Sequence, residues 1–179
     1  MTFAADELRR AVERLLDTWR RRGLPGRDAL VEAAALLDAS RGAGSLWPRA
    51  PAMLTATIDD GIGQGIDIVG RFAGAVGVQV VFDGLLLPPK RIVESAHRLR
   101  PDLVGLTVLQ LDSEPELAEI ARGLPPETLL LAGGPAFRLD PELAERAGVD
   151  VVAATAADFL RFLLGYDPAL SLPLVPKPE

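Results

Sequence analysis

The stretch TIDDGIGQGIDIV, residues 57 to 69, holds the residues of this chain best suited to chemistry. Asp59 and Asp60 are adjacent carboxylates, and Gly61, Gly63 and Gly65 alternate with Ile62 and Gln64 behind them. Glycines let a backbone approach a large ligand closely. A helix beginning near Gly65 would add N–H groups that have no partner inside the helix. No phosphate-loop lysine follows, which disfavours an ordinary nucleoside triphosphate site. Three further loops share this character: Asp83-Gly84 in DGLLLPP, Thr107-Val108-Leu109 leading into VLQLD, and Gly133-Gly134 in GGPAF.

Composition removes most other chemistries. The chain has no cysteine, which excludes disulfides, thiolate nucleophiles, iron–sulfur clusters and most structural zinc sites. Its one histidine, His97, does not support a metal centre built from protein alone. Ile92, Val93, Ala96 and Leu99 mark the buried face of the helix that carries His97, so the imidazole is expected in solvent. A formal net charge of −6 offers no basic face to nucleic acid. With 179 residues, nearly half of them apolar and a quarter charged, the chain reads as one globular domain plus an appendage. MTFAADELRR has no signal-peptide core, and no apolar run reaches the roughly 18 residues of a membrane span. The expectation is a cytoplasmic protein.

The elements that must position these loops fall into two styles. Leu8, Val12, Leu15, Leu16 and Trp19 recur at helical spacing, and Gly23-Leu24-Pro25-Gly26 breaks the helix. Arg20-Arg21-Arg22 closes it, where cations favour the helix dipole. A second helix over Arg27 to Asp38 is apolar around much of its girth. Two such helices need the main domain, a partner or a second copy of themselves to cover them. From Met53 strands and helices alternate. Strands are predicted at Met53–Ile58, Val78–Phe82, Leu103–Thr107, Thr128–Ala132 and Val149–Val152. Helices are predicted near Gly65–Val76, Lys90–Leu99, Pro115–Arg122, Pro141–Ala147 and Ala156–Leu164. Continuous apolar strands suit a parallel sheet covered on both faces. The fold expected is α/β and flavodoxin-like (Rossmann-type), five parallel strands in the order 2-1-3-4-5. Ligands in that topology bind beyond the C-terminal strand ends, at the switch between strands 1 and 3. The division read from the chain is a helical segment over 1–45, a linker over 46–52, the α/β domain over 53–166 and a proline-rich tail over 167–179.

In that setting residues 57 to 165 resemble the cobalamin-binding domain of methionine synthase, corrinoid methyl-carrier proteins and cobalamin-dependent mutases. The family's D-x-H-x-x-G motif falls on Asp60-Gly61-Ile62-Gly63-Gln64-Gly65, followed by Ile68-Val69. The register runs on through Gly77, Val80, Gly84 and Pro88-Pro89. The S-x-L motif falls on Thr107-Val108-Leu109, and the glycine pair on Gly133-Gly134. The resemblance implies that Thr107, Leu109, Gly133 and Gly134 line a groove for the cofactor's nucleotide tail. It places Gly61, Gly63 and Gly65 beneath the corrin and retains Asp60, which in the family hydrogen-bonds the ligand histidine; Asp83 and Gly84 complete the expected cofactor-binding set. The family's cobalt-ligating histidine is replaced by Ile62, which has no lone pair. A competing register puts Asp60 at the histidine position with Gly63, at the cost of a two-residue offset, and it supplies no histidine either.

Four readings of Ile62 stay open. Cobalt is unligated by protein; or the cofactor keeps its own base on cobalt; or haem or another tetrapyrrole binds; or the site has lost its cofactor and serves protein interaction. An acidic pair after strand 1 also occurs in response-regulator receivers. Those need an aspartate ending strand 3 and a lysine ending strand 5, where this chain has Thr107 and Ala153-Ala154. Asp60 as a helix cap and the glycines as tight turns are the plain alternatives to a site. Trp19 and Trp47 could cover a corrin's upper face or belong to the core. The helical segment is shorter than the family's four-helix cap, so dimerisation or a partner would complete it. No residue looks like a catalytic acid, base or nucleophile. The function expected is therefore a corrinoid-binding carrier or accessory module for a partner methyltransferase or radical enzyme. The alternative is a regulatory, sensor or scaffold subunit.

Overall fold

The computed structural model describes residues 3–42 and 44–169. Residues 170–179, most of the expected proline-rich tail, lie outside that range.

Helix α1 spans Phe3–Arg22 and α2 spans Arg27–Arg41. Leu8, Val12, Leu16 and Trp19 of α1 are buried, as their spacing requires. Gly23, at φ 85°, lets the chain leave α1 through a conformation that other residues avoid. Five parallel strands follow: β1 Ala52–Thr57, β2 Gln79–Gly84, β3 Leu103–Thr107, β4 Leu129–Gly133 and β5 Val151–Val152. They lie in the order β2-β1-β3-β4-β5, the flavodoxin-like order expected. The crossovers are α3 Gln64–Ala75, α4 Pro89–Leu99, α5 Glu114–Gly123, and the short pair α6 Ala136–Leu139 and α7 Leu143–Ala147. Helix α8, Ala156–Gly165, closes the domain.

Alternation along the strands divides the core in two. Met53, Leu103, Leu129 and Leu131 point to the face covered by α1, α2, α3 and α8. Leu54, Val104, Leu106 and Leu130 point to the face covered by α4, α5, α6 and α7. Central strands β1 and β3 are therefore apolar on both sides, which is why they read as continuous apolar runs. Helix α2 lies along α3 and α1 against α8, and the ion pair Arg27–Asp67, 3.1 Å, ties α2 to α3. The two helices thus use the domain itself as much of their cover.

Several details differ from the expectations. Val149 is buried, but only Val151–Val152 joins the ladder, so β5 is shorter than predicted. Helix α6 was not foreseen. Leu99 is 42% exposed and does not belong to the buried face of α4, where Ser95 stands instead. The helix ends there: Arg100, at φ 48°, is its C-cap and donates its N–H to the Ala96 carbonyl. Trp19 stacks edge-on against Phe72, 5.7 Å between ring centres, and Trp47 donates from Nε1 to the Tyr166 carbonyl at 2.7 Å. Both tryptophans are core residues, and Leu46 beside Trp47 is buried too. Arg49 meets Asp102 at 2.6 Å, and Asp102 also accepts from the Ala52 N–H at 2.7 Å. Burial pushes the Asp102 carboxyl up, but Arg49 and the Ala52 N–H outweigh it and hold the group below its usual value.

Candidate functional site

The C-terminal strand ends gather the loops singled out in the sequence. Thr57, the last residue of β1, joins two of them. Its hydroxyl donates to the Asp60 carbonyl and accepts from the Leu86 N–H at 3.0 Å, and its carbonyl accepts from the Leu87 N–H at 2.9 Å. Asp59 joins the β1 loop to the β3 loop. Its carboxylate accepts from the N–H groups of Leu109 and Gln110, both at 2.9 Å, and from the Ser113 hydroxyl at 2.8 Å.

The two adjacent acids therefore do different work. Asp60 is buried and folds its own loop: its Oδ1 accepts from the Ile62 N–H at 2.8 Å and the Gly63 N–H at 3.0 Å. Gly63, at φ 73°, then starts α3. The turn throws the Ile62 side chain outward, 77% exposed. Leu86 and Leu109 in the loops, Leu111 in the turn after β3 and Leu139 at the end of α6 are also exposed. Leu86 holds a left-handed φ of 52°, which leucine seldom adopts and which costs on the order of 1 kcal/mol. Its side chain lies over Gly61 but stays 58% exposed, so burial compensates little of that strain.

Below this rim a groove of about 250 Å³ runs over β1, β3 and β4 beside α3 and α8. Gly65, Gly105, Thr107, Gly133 and Gly134 line it, with Met53 and Phe159 deeper and Leu24, Leu30 and Arg138 also on its walls. Leu24 and Leu30 come from the N-terminal helices, so the appendage forms part of the wall. A Cβ on Gly65 would lie 2.7 Å from Thr107 Cγ2. One on Gly133 would lie 2.2 Å from the Ala153 carbonyl oxygen, and one on Gly134 2.3 Å from that of Val108. Gly133 and Gly134 are required by close backbone packing, and Gly65 by the Thr107 side chain, whatever the groove holds. Thr107 Oγ1 is buried on the groove without a hydrogen-bond partner, and Asp83 Oδ2 is likewise buried and unpartnered.

The geometry thus brings Gly65, Thr107, Gly133 and Gly134 together in the groove. Asp60, Gly61, Ile62 and Gly63 form the loop at its rim. Leu109 stands beside that loop through Asp59. Asp83 and Gly84 end β2, with Asp83 3.9 Å from Arg91. Gly65, expected beneath a corrin, belongs to the groove wall. His97 is exposed near the end of α4, its Nε2 2.8 Å from the Gly123 carbonyl oxygen, far from the rim loops. Among the described residues no group of three or more His, Cys, Asp or Glu is placed to hold a metal ion.

A family model, the B12 binding domain, matches residues 53–163. The chain belongs to that family. Solved structures agree on the fold. A cobalamin-binding protein from Desulfitobacterium hafniense is 22% identical, over 89% of this chain and 82% of that one, with a TM-score of 0.72. The monomethylamine corrinoid protein of Methanosarcina barkeri is 18% identical, over 89% of this chain and 96% of that one, TM-score 0.60. The methanol:cobalamin methyltransferase complex of the same organism is 15% identical, over 96% of this chain and 68% of that one, TM-score 0.64. No curated protein matches the chain. Among the described residues no helix is long and apolar enough to cross a membrane.

The cofactor of a B12 binding domain is a corrinoid, and the residues present fit one part of it. The groove is smaller than the roughly 300–1,000 Å³ of whole-ligand pockets, so it suits one planar heterocycle and not a macrocycle. Its apolar walls and unpartnered Thr107 hydroxyl are what a buried heterocyclic base would meet. The rim suits the flat apolar underside of a large ring. Ile62, whose side chain has no lone pair, stands at the apex of the rim loop, and Asp60 beside it accepts from the Ile62 and Gly63 N–H groups.

Sequence reasoning missed Asp59 and Thr57 as the residues that join the loops. Asp59 contacts a segment some fifty positions away, and no local spacing announces such a bond. The left-handed Leu86 carried no signal either, since its DGLLLPP neighbours read as an ordinary turn.

Proposed function

We propose that this chain holds a corrinoid with its tail in the groove and with cobalt bare of any protein donor, and that it acts as a carrier or accessory module for a partner methyltransferase or radical enzyme. The observation that carries the reading is the loop apex. Ile62 projects into solvent where the family has its ligand, and Asp60 is already committed to the Ile62 and Gly63 N–H groups. The competing register fares no better, since it puts that committed aspartate at the ligand position. Ile62, Leu86 and Leu109 would form an apolar seat that excludes water from the ring's underside. Thr107 would offer its hydroxyl to the buried base, and Gly65, Gly133 and Gly134 would set the width of the groove. When bound, the corrinoid supplies the group-transfer or electron-transfer chemistry at cobalt. Losing an axial donor shifts a metal toward lower oxidation states, because axial ligation is a main control of potential. A partner enzyme fits the lack of any catalytic acid, base or nucleophile at the rim, and one structural neighbour is itself a methyltransferase complex. Leu36, 66% exposed on α2, marks a face for that partner or for a second copy of the chain.

A second reading, a scaffold or regulatory subunit without cofactor, draws on Asp60 and the glycine pair, whose placement is fully explained by contacts within the chain. A haem-type site is the weaker variant, as His97 stands far from the rim.

The test is a titration with hydroxocobalamin and with reduced cobalamin, followed by visible absorption and calorimetry. Saturable binding with a base-off spectrum is expected. Ile62→His should then move that spectrum toward histidine ligation. Absence of binding in every oxidation state would sink the corrinoid reading in favour of the scaffold.

A further inference from the structure

Resting on the corrinoid reading, we infer that Arg138 recognises an anion, and that it makes the groove select corrinoids carrying the phosphodiester of the nucleotide loop over corrinoids that lack it. The groove is lined by glycine and apolar residues almost throughout. Among the described residues Thr107 and Thr155 are its uncharged polar side chains, and Arg138 is the one charged residue on its wall. Such a lining fits a ligand that is apolar over most of its surface and carries a single negative charge.

The charges nearby are already matched, and that of Arg138 is not. Arg146 is held by Glu114 at 2.8 Å and by Asp140 at 2.6 Å. Asp158, in the first turn of α8, pairs with Arg161 at 2.9 Å and accepts from the Thr155 hydroxyl at 2.8 Å. Arg138 makes no ion pair with any described residue. Its position is fixed by backbone: Gly134, at φ 116°, turns the chain out of β4, and the Arg138 N–H donates to the Pro135 carbonyl at 3.0 Å to close the first turn of α6. Arg138 thus lines the groove wall with no ion partner among the described residues, and a guanidinium is a planar fork of donors that suits a phosphate oxygen pair. The neutral base of the tail has no use for that charge, and neither has the cobalt ring.

Binding of cobalamin and of cobinamide, which lacks phosphate, ribose and base, would be measured by visible absorption for the protein and for Arg138→Gln. Arg138 is exposed, so the variant should melt as the parent does. The expected result is a roughly tenfold loss of affinity for cobalamin and no change for cobinamide, the size of one charge-assisted hydrogen bond. Arg138→Lys should recover part of the loss, and the parent's preference for cobalamin should shrink with added salt. Equal affinities of the parent for the two corrinoids, or cobalamin binding untouched by Arg138→Gln, would overturn the inference and leave the corrinoid reading standing. A parent that binds neither corrinoid would remove both.

Discussion

The groove and the loop apex above it lie at the same end of the sheet and are built by opposite rules. On the groove floor side chains are small or buried: Gly133 and Gly134 bring backbone against backbone, Gly65 fits against the Thr107 side chain, and Thr107 is itself buried. At the apex Ile62 and Leu86 are pushed into solvent, Leu86 at the cost of a strained backbone. The groove would keep its form with nothing in it, because its own packing demands it. The apex has no such internal reason, since exposed apolar side chains contribute nothing to an isolated domain. The difference separates residues kept by the fold from residues whose use lies outside it.

Mutations can break or sharpen that contrast. The largest effect is expected at the groove. Gly133→Ala drives a Cβ into the Ala153 carbonyl and should cost about 2–3 kcal/mol, read as a fall of roughly 5–10 °C in the thermal midpoint. An unchanged melt would mean that the strand ends can spread, and that the glycines are there for a ligand alone. Next comes the brace between the two regions. Asp59→Ala deletes hydrogen bonds to Leu109, Gln110 and Ser113 and should cost about 2 kcal/mol in denaturant titrations. Faster amide exchange at Leu109 and Gln110 should accompany it; protection equal to the parent's would show that the β3 loop holds its shape unaided. The smallest effect is expected at the apex. Leu86→Gly relieves the left-handed strain but loosens the unfolded chain, so stability should move by no more than about 0.5 kcal/mol. Cobalamin affinity should fall nonetheless, and a variant that binds as well as the parent would remove Leu86 from the seat.

The fold was legible from the strands of the chain. Runs such as Leu103–Thr107 carry no charge and are buried at every position, as a parallel sheet covered on both faces requires. The glycine loops pointed to the correct strand ends, since the topology fixes where ligands sit. What escaped was whatever depends on which loop leans on which. Asp59 and Asp60 are neighbours in sequence and equal in type, yet one bridges to the β3 loop and the other folds its own turn. Leu99 kept helical spacing but lost its burial when α4 ended at Arg100. Leu24 and Leu30 read as parts of an appendage and stand on the groove wall.

By itself the amino-acid order determined the sheet, its strand order and the strand ends at which the glycine loops gather, because period, glycine placement and residue type act locally. Only the tertiary structure decided that, among the described residues, the Thr107 hydroxyl is left without a partner, Asp60 is already spoken for and Arg138 is the lone charge on the groove. Those are properties of distance between segments far apart in the chain, and distance is settled when the helices close over the sheet.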